Sequence, residues 1–139
     1  MSTSPPLYKK AVVVEDDEAI QYMYKLKLEK ANFKVKTASN GQEGLSVIEE
    51  LRPDIILLDL NMPVMSGDKM LEAVRARPWG NSIKVIVLTN ISKDEAPPVL
   101  RILNVDRYIV KAHYTPNQVL EIVNEILGEN TRTSSLHKS

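Results

Sequence analysis

Five residues of types that handle metals and phosphate are spaced along this chain: the acidic pair Glu15 and Asp16, then Asp59, Thr89 and Lys111. Three carboxylates brought into one crevice repel each other and require a compensating cation. Their donors are all oxygens, which suits a hard ion such as Mg2+. Lys111 adds a point positive charge and Thr89 a hydroxyl donor. Together they suit a phosphoryl group carried on a carboxylate. The metal and the ammonium would neutralise its equatorial oxygens, and the hydroxyl would hydrogen-bond one of them. Asp59 is the expected nucleophile, because aspartyl phosphates are an established mode of covalent catalysis. Each residue alone has a plainer reading: acids before a helix complement its dipole, a strand-end lysine snorkels, a lone aspartate caps a turn. It is their joint placement that carries the chemistry.

That placement depends on the elements. Ile55–Leu58 is a short apolar run between Pro53 and Met62-Pro63, which predicts a strand buried on both faces, as in a parallel sheet. Asp59 then lies at its carboxyl end, where ligands gather in such sheets. Ala11–Val14 predicts a first strand ending at Glu15. Ile83–Leu88 predicts a fourth that delivers Thr89, and residues 106–110 a fifth that ends at Lys111. Phe33–Ala38 alternates and reads as a second strand nearer the sheet edge.

Helical patterns fall between the strands. Ile20, Tyr24, Leu28 and Ala31 trace one buried stripe, with Asp17 or a neighbour as its cap. Leu45, Ile48 and Leu51 follow Asn40-Gly41 and stop before Pro53. Met70, Leu71 and Val74 belong to a helix from Ser66 to about Arg77, and residues 78–81 form a loop. A fourth helix is expected over residues 95–103, shortened or delayed by Pro97-Pro98. Thr115-Pro116-Asn117-Gln118 is a capping box opening the last helix, and Gly128 suits its carboxyl end. The pattern predicts an α/β fold, a doubly wound five-stranded parallel sheet flanked by five helices. The domain spans residues 9–128, between a disordered leader at 1–8 and a polar tail at 129–139.

Composition excludes several alternatives. Lysine plus arginine and aspartate plus glutamate both number 18, so net charge gives no case for direct nucleic-acid or membrane binding. Without cysteine there is no disulfide, thiolate metal site or cysteine nucleophile. No apolar run spans a bilayer and the N-terminus lacks a secretory core, so a cytoplasmic location is expected. Neither glycine motif for dinucleotides or nucleoside triphosphates is present. His113 and His137 lie in a loop and a tail and support no histidine phosphotransfer role.

With these residues in hand, the chain resembles the receiver domains of bacterial two-component response regulators, a flavodoxin-like fold. VVVEDDEAI resembles the family's acidic motif, IILLDLNMPVMSG its phosphoacceptor motif, VIVLTN its switch-threonine motif and YIVKA its lysine motif. The resemblance implies that Asp59 accepts phosphate from a phosphohistidine of a sensor histidine kinase or histidine phosphotransfer protein. It implies that Asp16 binds Mg2+ directly, Glu15 through water and Asn61 by its backbone carbonyl, with Thr89 and Lys111 on the phosphoryl group. Tyr108 matches the aromatic switch position. The implied role is signalling rather than enzymatic turnover, acting on an unknown output protein or through phosphorylation-dependent dimerisation.

Two rivals share part of this pattern. A haloacid-dehalogenase-like phosphatase needs a second aspartate two positions after its nucleophile, where this chain has Asn61, which cannot act as a carboxylic general acid. A pseudo-receiver would not keep the whole constellation. The chain also departs from the family. Ala112 stands where proline is usual, which predicts a trans Lys111–Ala112 bond. Asn104-Val105-Asp106 replaces a common Gly-Ala-Asp, and Pro97-Pro98 interrupts the fourth helix.

Overall fold

Five short runs rich in Val, Ile and Leu form one parallel sheet: β1 (Lys9–Val14), β2 (Phe33–Ala38), β3 (Ile55–Leu58), β4 (Lys84–Thr89) and β5 (Arg107–Val110). The computed structural model describes residues 8–128; the leader up to residue 7 and the tail at 129–139 lie outside the described residues. The strand order is β2-β1-β3-β4-β5, so β3 is central and β2 an edge, as its alternation implied. All four β3 residues are buried. In register, Val14 pairs with Leu58 and Leu58 with Val87, which brings the carboxyl ends of β1, β3 and β4 to one edge.

Among the described residues, four α-helices cover the two faces: α1 (Glu18–Lys30), α2 (Gly41–Leu51), α3 (Gly67–Arg75) and α4 (Pro116–Ile126). Alternate strand residues point to opposite faces. Val12, Val14, Ile56, Leu58, Val85 and Val87 pack with Ile48 of α2 and with Met70, Leu71 and Val74 of α3. Ala11, Val13, Ile55, Leu57, Ile86 and Ile109 pack with Tyr24 and Leu28 of α1 and with Val119 and Val123 of α4. Each fully buried aliphatic side chain contributes roughly 1.5–3 kcal/mol.

The helix caps match their sequence signals. Asp17 accepts from the Ile20 N–H, Asn40 from the Glu43 N–H, and Thr115 and Gln118 form the reciprocal box. Gly128 takes the left-handed conformation after α4, at φ 78°. Gly67 is required for a different reason: a Cβ there would collide with the Asp59 carbonyl oxygen. The amino end of α3 can therefore sit directly against the loop that follows β3.

The fourth helix expected over residues 95–103 is absent among the described residues. Residues 95–103 instead carry parts of two 3-10 turns, Lys93–Glu95 and Pro98–Ile102. Pro97 and Pro98 have no N–H for an α-helical ladder, and the residue before a proline is driven out of the α region. Pro97 at ψ 130° and Ala96 at ψ 150° show that break. Arg75 ties this segment down from α3, donating to the carbonyls of Leu103 and Asn104 at 2.8 Å each and to those of Gly80 and Ile83. A groove of about 700 Å3 borders the segment, with Lys93, Pro97, Arg101 and Tyr108 in its wall.

Two boundaries shift in useful ways. β4 runs through Thr89, so the threonine is the last strand residue rather than the first beyond it. Asp106 stands before β5 and bridges instead: its carboxylate accepts from Val85 N at 2.8 Å, and its own N–H donates to Val85 O. No peptide bond among the described residues is cis, so Lys111–Ala112 is trans, and Lys111–His113 makes a 3-10 turn leading into the Thr115 cap.

Candidate functional site

Among the described residues, the buried polar or charged side chains are Glu15, Asp59 and Thr89, each at the carboxyl end of a strand. Burial of an uncompensated carboxylate is costly, so these positions point to a site rather than to chance. Ligating oxygens of Glu15, Asp16 and Asp59 lie within 4.8 Å of one another. The set is all carboxylate, and Asp16 is exposed to solvent, which leaves room for the waters Mg2+ retains. The donor chemistry therefore fits that ion.

Lys111 reaches the cluster from the end of β5. Its Nζ bonds Glu15 Oε1 at 2.6 Å and lies 3.5 Å from Asp59 Oδ2. Burial alone would lower the lysine's pKa, but the bond to Glu15 and the charge of Asp59 outweigh it, and the net shift is upward. For Glu15, burial pushes the pKa up and Asp59 adds to it, against the lowering by Lys111 and the Asp17 N–H. The ion pair alone would lower Glu15, so desolvation beside a second carboxylate wins. One ammonium against three carboxylates leaves the cluster short of positive charge.

The remaining expected residues surround this centre. Thr89, at the end of β4, is level with Val110 of β5, one residue before Lys111, and its hydroxyl accepts weakly from the Ile91 N–H at 3.4 Å. Asn61 is exposed, and its N–H makes a long contact of 3.4 Å with Asp59 Oδ1. Tyr108 donates from its hydroxyl to the Ile91 carbonyl at 2.7 Å, linking β5 to the segment after Thr89. The structure thus gathers Glu15, Asp16, Asp59 and Lys111 in direct proximity, with Thr89, Asn61 and Tyr108 around them.

The family model of the response regulator receiver domain matches residues 11–124. The chain belongs to that family. It is 34% identical over 121 residues to the alkaline phosphatase synthesis transcriptional regulatory protein PhoP of Bacillus subtilis, covering 86% of this chain and 48% of that protein. It is 30% identical over 113 residues to the phosphate regulon transcriptional regulatory protein PhoB of Rhizobium meliloti, covering 81% and 50%. The chain thus spans about half the length of these relatives. Among solved structures, it is similar to the chemotaxis response regulator CheY4 of Vibrio cholerae, with TM-score 0.79 and 28% identity over 86% of this chain and 99% of that one. It is also similar to the response regulator TrrA of Thermotoga maritima in complex with Mg(2+)-BeF, with TM-score 0.73 and 27% identity over 84% and 97%. The two-component receiver identity and the doubly wound fold follow from these matches.

Two residues of this receiver site escaped the sequence reading. Gln21 on α1 donates from its side-chain amide to the carbonyls of Glu15 and Ala38, at 2.8 and 3.0 Å. Tyr24, also on α1, is buried, and burial with the nearby Glu15 raises its phenol pKa to about 12. Tyr24 was read as part of the apolar stripe, and that stripe gave no sign of the carboxylate beside it. Gln21 carries no pattern of its own, because its partners are backbone carbonyls.

Proposed function

We propose that this receiver takes a phosphoryl group onto Asp59 from the phosphohistidine of a sensor histidine kinase or histidine phosphotransfer protein, in a Mg2+-dependent reaction in the cytoplasm. An Asp59 carboxylate oxygen attacks phosphorus as the histidine N–P bond breaks, forming an acyl phosphate and returning the electron pair to the imidazole. Mg2+ held by Asp16, Asp59, the Asn61 carbonyl and, through water, Glu15 would neutralise charge on the transferred group. Lys111 is placed to do the same from the β5 side, and the Thr89 hydroxyl to hydrogen-bond one phosphoryl oxygen. The observation that carries the reading is the buried Asp59 carboxylate, flanked by two further carboxylates and by the Lys111 ammonium.

Phosphorylation would then bias Thr89 and Tyr108. The hydrogen bond from Tyr108 to Ile91 supports coupling between the phosphoryl site and the β5 face, where an output protein or a second copy would bind. The site carries out only its own phosphorylation and dephosphorylation, with no other substrate turned over.

Acetyl phosphate with Mg2+ provides the test. Intact-mass measurement is expected to show one added phosphoryl group, lost on chelation of the metal and absent in Asp59→Asn. Labelling that persists in that variant would place the nucleophile elsewhere, and turnover of many small phosphate esters would favour a phosphatase.

A further inference from the structure

We infer that Gln21 is a positioning residue for the acidic pair, setting Mg2+ affinity without touching the metal. The inference rests on the proposed Mg2+-dependent receiver reading.

The acidic pair sits on a turn between β1 and α1, and a turn needs its polar groups fixed if its side chains are to hold a set geometry. Glu15 is fixed at every polar group. Its N–H donates to Ala38 O at 2.9 Å. Its carboxylate accepts from Asp17 N at 3.0 Å and from Lys111 Nζ at 2.6 Å. Its carbonyl accepts from Gln21 Nε2 at 2.8 Å. The same amide also donates to Ala38 O at 3.0 Å and lies 3.4 Å from the Ser39 hydroxyl. One side chain therefore joins the ends of β1 and β2 to the first turns of α1.

Asp16 has no such supports of its own. It is exposed, and its carboxylate reaches the cluster only because its backbone neighbours are held. Rotating the Glu15–Asp16 peptide would swing the Asp16 side chain away from Asp59. The Glu15 carbonyl is the handle that resists this rotation, and Gln21 is its recorded partner. Partners that orient metal ligands from behind typically change metal affinity ~10–100-fold when lost.

The test uses the full chain and Mg2+ alone. Gln21→Met keeps length and helix propensity but removes the donor. Leu28→Val loosens α1 in the core, far from the turn, and serves as the stability control. Calorimetric titration is expected to show Mg2+ affinity ~10–100-fold weaker in Gln21→Met and near wild type in Leu28→Val. Amide hydrogen exchange without metal is expected to speed up at Asp16 and Asp17 in Gln21→Met. It should recover in Gln21→Arg, which restores N–H donors. Wild-type affinity in Gln21→Met, or an equal loss in Leu28→Val, would overturn the positioning role. A wild-type protein that binds no Mg2+ would instead overturn the receiver reading on which it rests.

Discussion

Replacing Lys111 with methionine removes the one cation that, among the described residues, directly contacts the buried carboxylates Glu15 and Asp59. At an effective dielectric of about 20, the 2.6 Å approach to Glu15 and the 3.5 Å approach to Asp59 correspond to attractions of about 6 and about 5 kcal/mol. Desolvating the ammonium, 15% exposed in its side chain, offsets several kcal/mol of that. Breaking a buried pair from one side leaves its partners stranded and typically costs about 3–5 kcal/mol. Lys111→Met is therefore expected to lose about 3–5 kcal/mol of metal-free stability, a large share of the ~5–15 kcal/mol a domain possesses. Urea denaturation in a chelating buffer measures it. Pairing the change with Glu15→Gln should recover at least about half of the loss, because one stranded charge is gone. Saturating Mg2+ should recover about 2.7 kcal/mol at a hundredfold excess over its dissociation constant. A Lys111→Met protein as stable as wild type without metal would refute the claim that this lysine balances the cluster.

Three further outcomes are expected. Ile91 lies two residues beyond Thr89, with its N–H 3.4 Å from the Thr89 hydroxyl, and its side chain offers no hydrogen bond to a water attacking the acyl phosphate, so Ile91→Glu should shorten the acyl phosphate lifetime by about tenfold or more, within reach of a positioned base; an unchanged phosphate-release rate would count against this. Tyr24, raised from 10.0 to about 12 by burial and Glu15, stays neutral in the folded state while the unfolded state ionises. Its stabilising contribution is whole below pH 10 and declines as pH rises from 10 towards 12, and this decline should vanish in Tyr24→Phe, as read from melting curves across that range. Val64, exposed and at φ 69°, holds a β-branched side chain in left-handed backbone, so Val64→Asn should stabilise by roughly 1 kcal/mol in thermal denaturation; destabilisation would show that Val64 packs against something essential.

Most of the fold was legible because its signals are local. The apolar runs of β1, β3 and β4, and the caps Asp17, Asn40 and Thr115, state their roles within a few residues. The five chemical residues were legible through the strands that precede them. Non-local features were not. Pro97-Pro98 announced trouble for a fourth helix, yet only the packed structure shows 3-10 turns there, tied to α3 by Arg75. The constraint on Gly67 is likewise non-local: close approach to the Asp59 carbonyl is what excludes a side chain there. Gln21 was illegible because it acts on carbonyls presented by other segments.

The broken stretch at residues 92–104 has a consequence for how a signal at Thr89 would travel. A continuous helix moves as a rod, so a change at one end rotates the other. Here the chain is punctuated by isolated i→i+3 bonds such as Glu95 N to Ser92 O and Leu100 N to Pro97 O, and Arg75 grips it only at Leu103 and Asn104. Leu100 and Leu103 anchor its later half in the core, so it is the earlier part, residues 92–98, that is expected to open at a free energy below that of global unfolding. Thr89 and Tyr108 would then act on it as a bias on the fraction of time it is ordered, a thermostat for local melting rather than a lever.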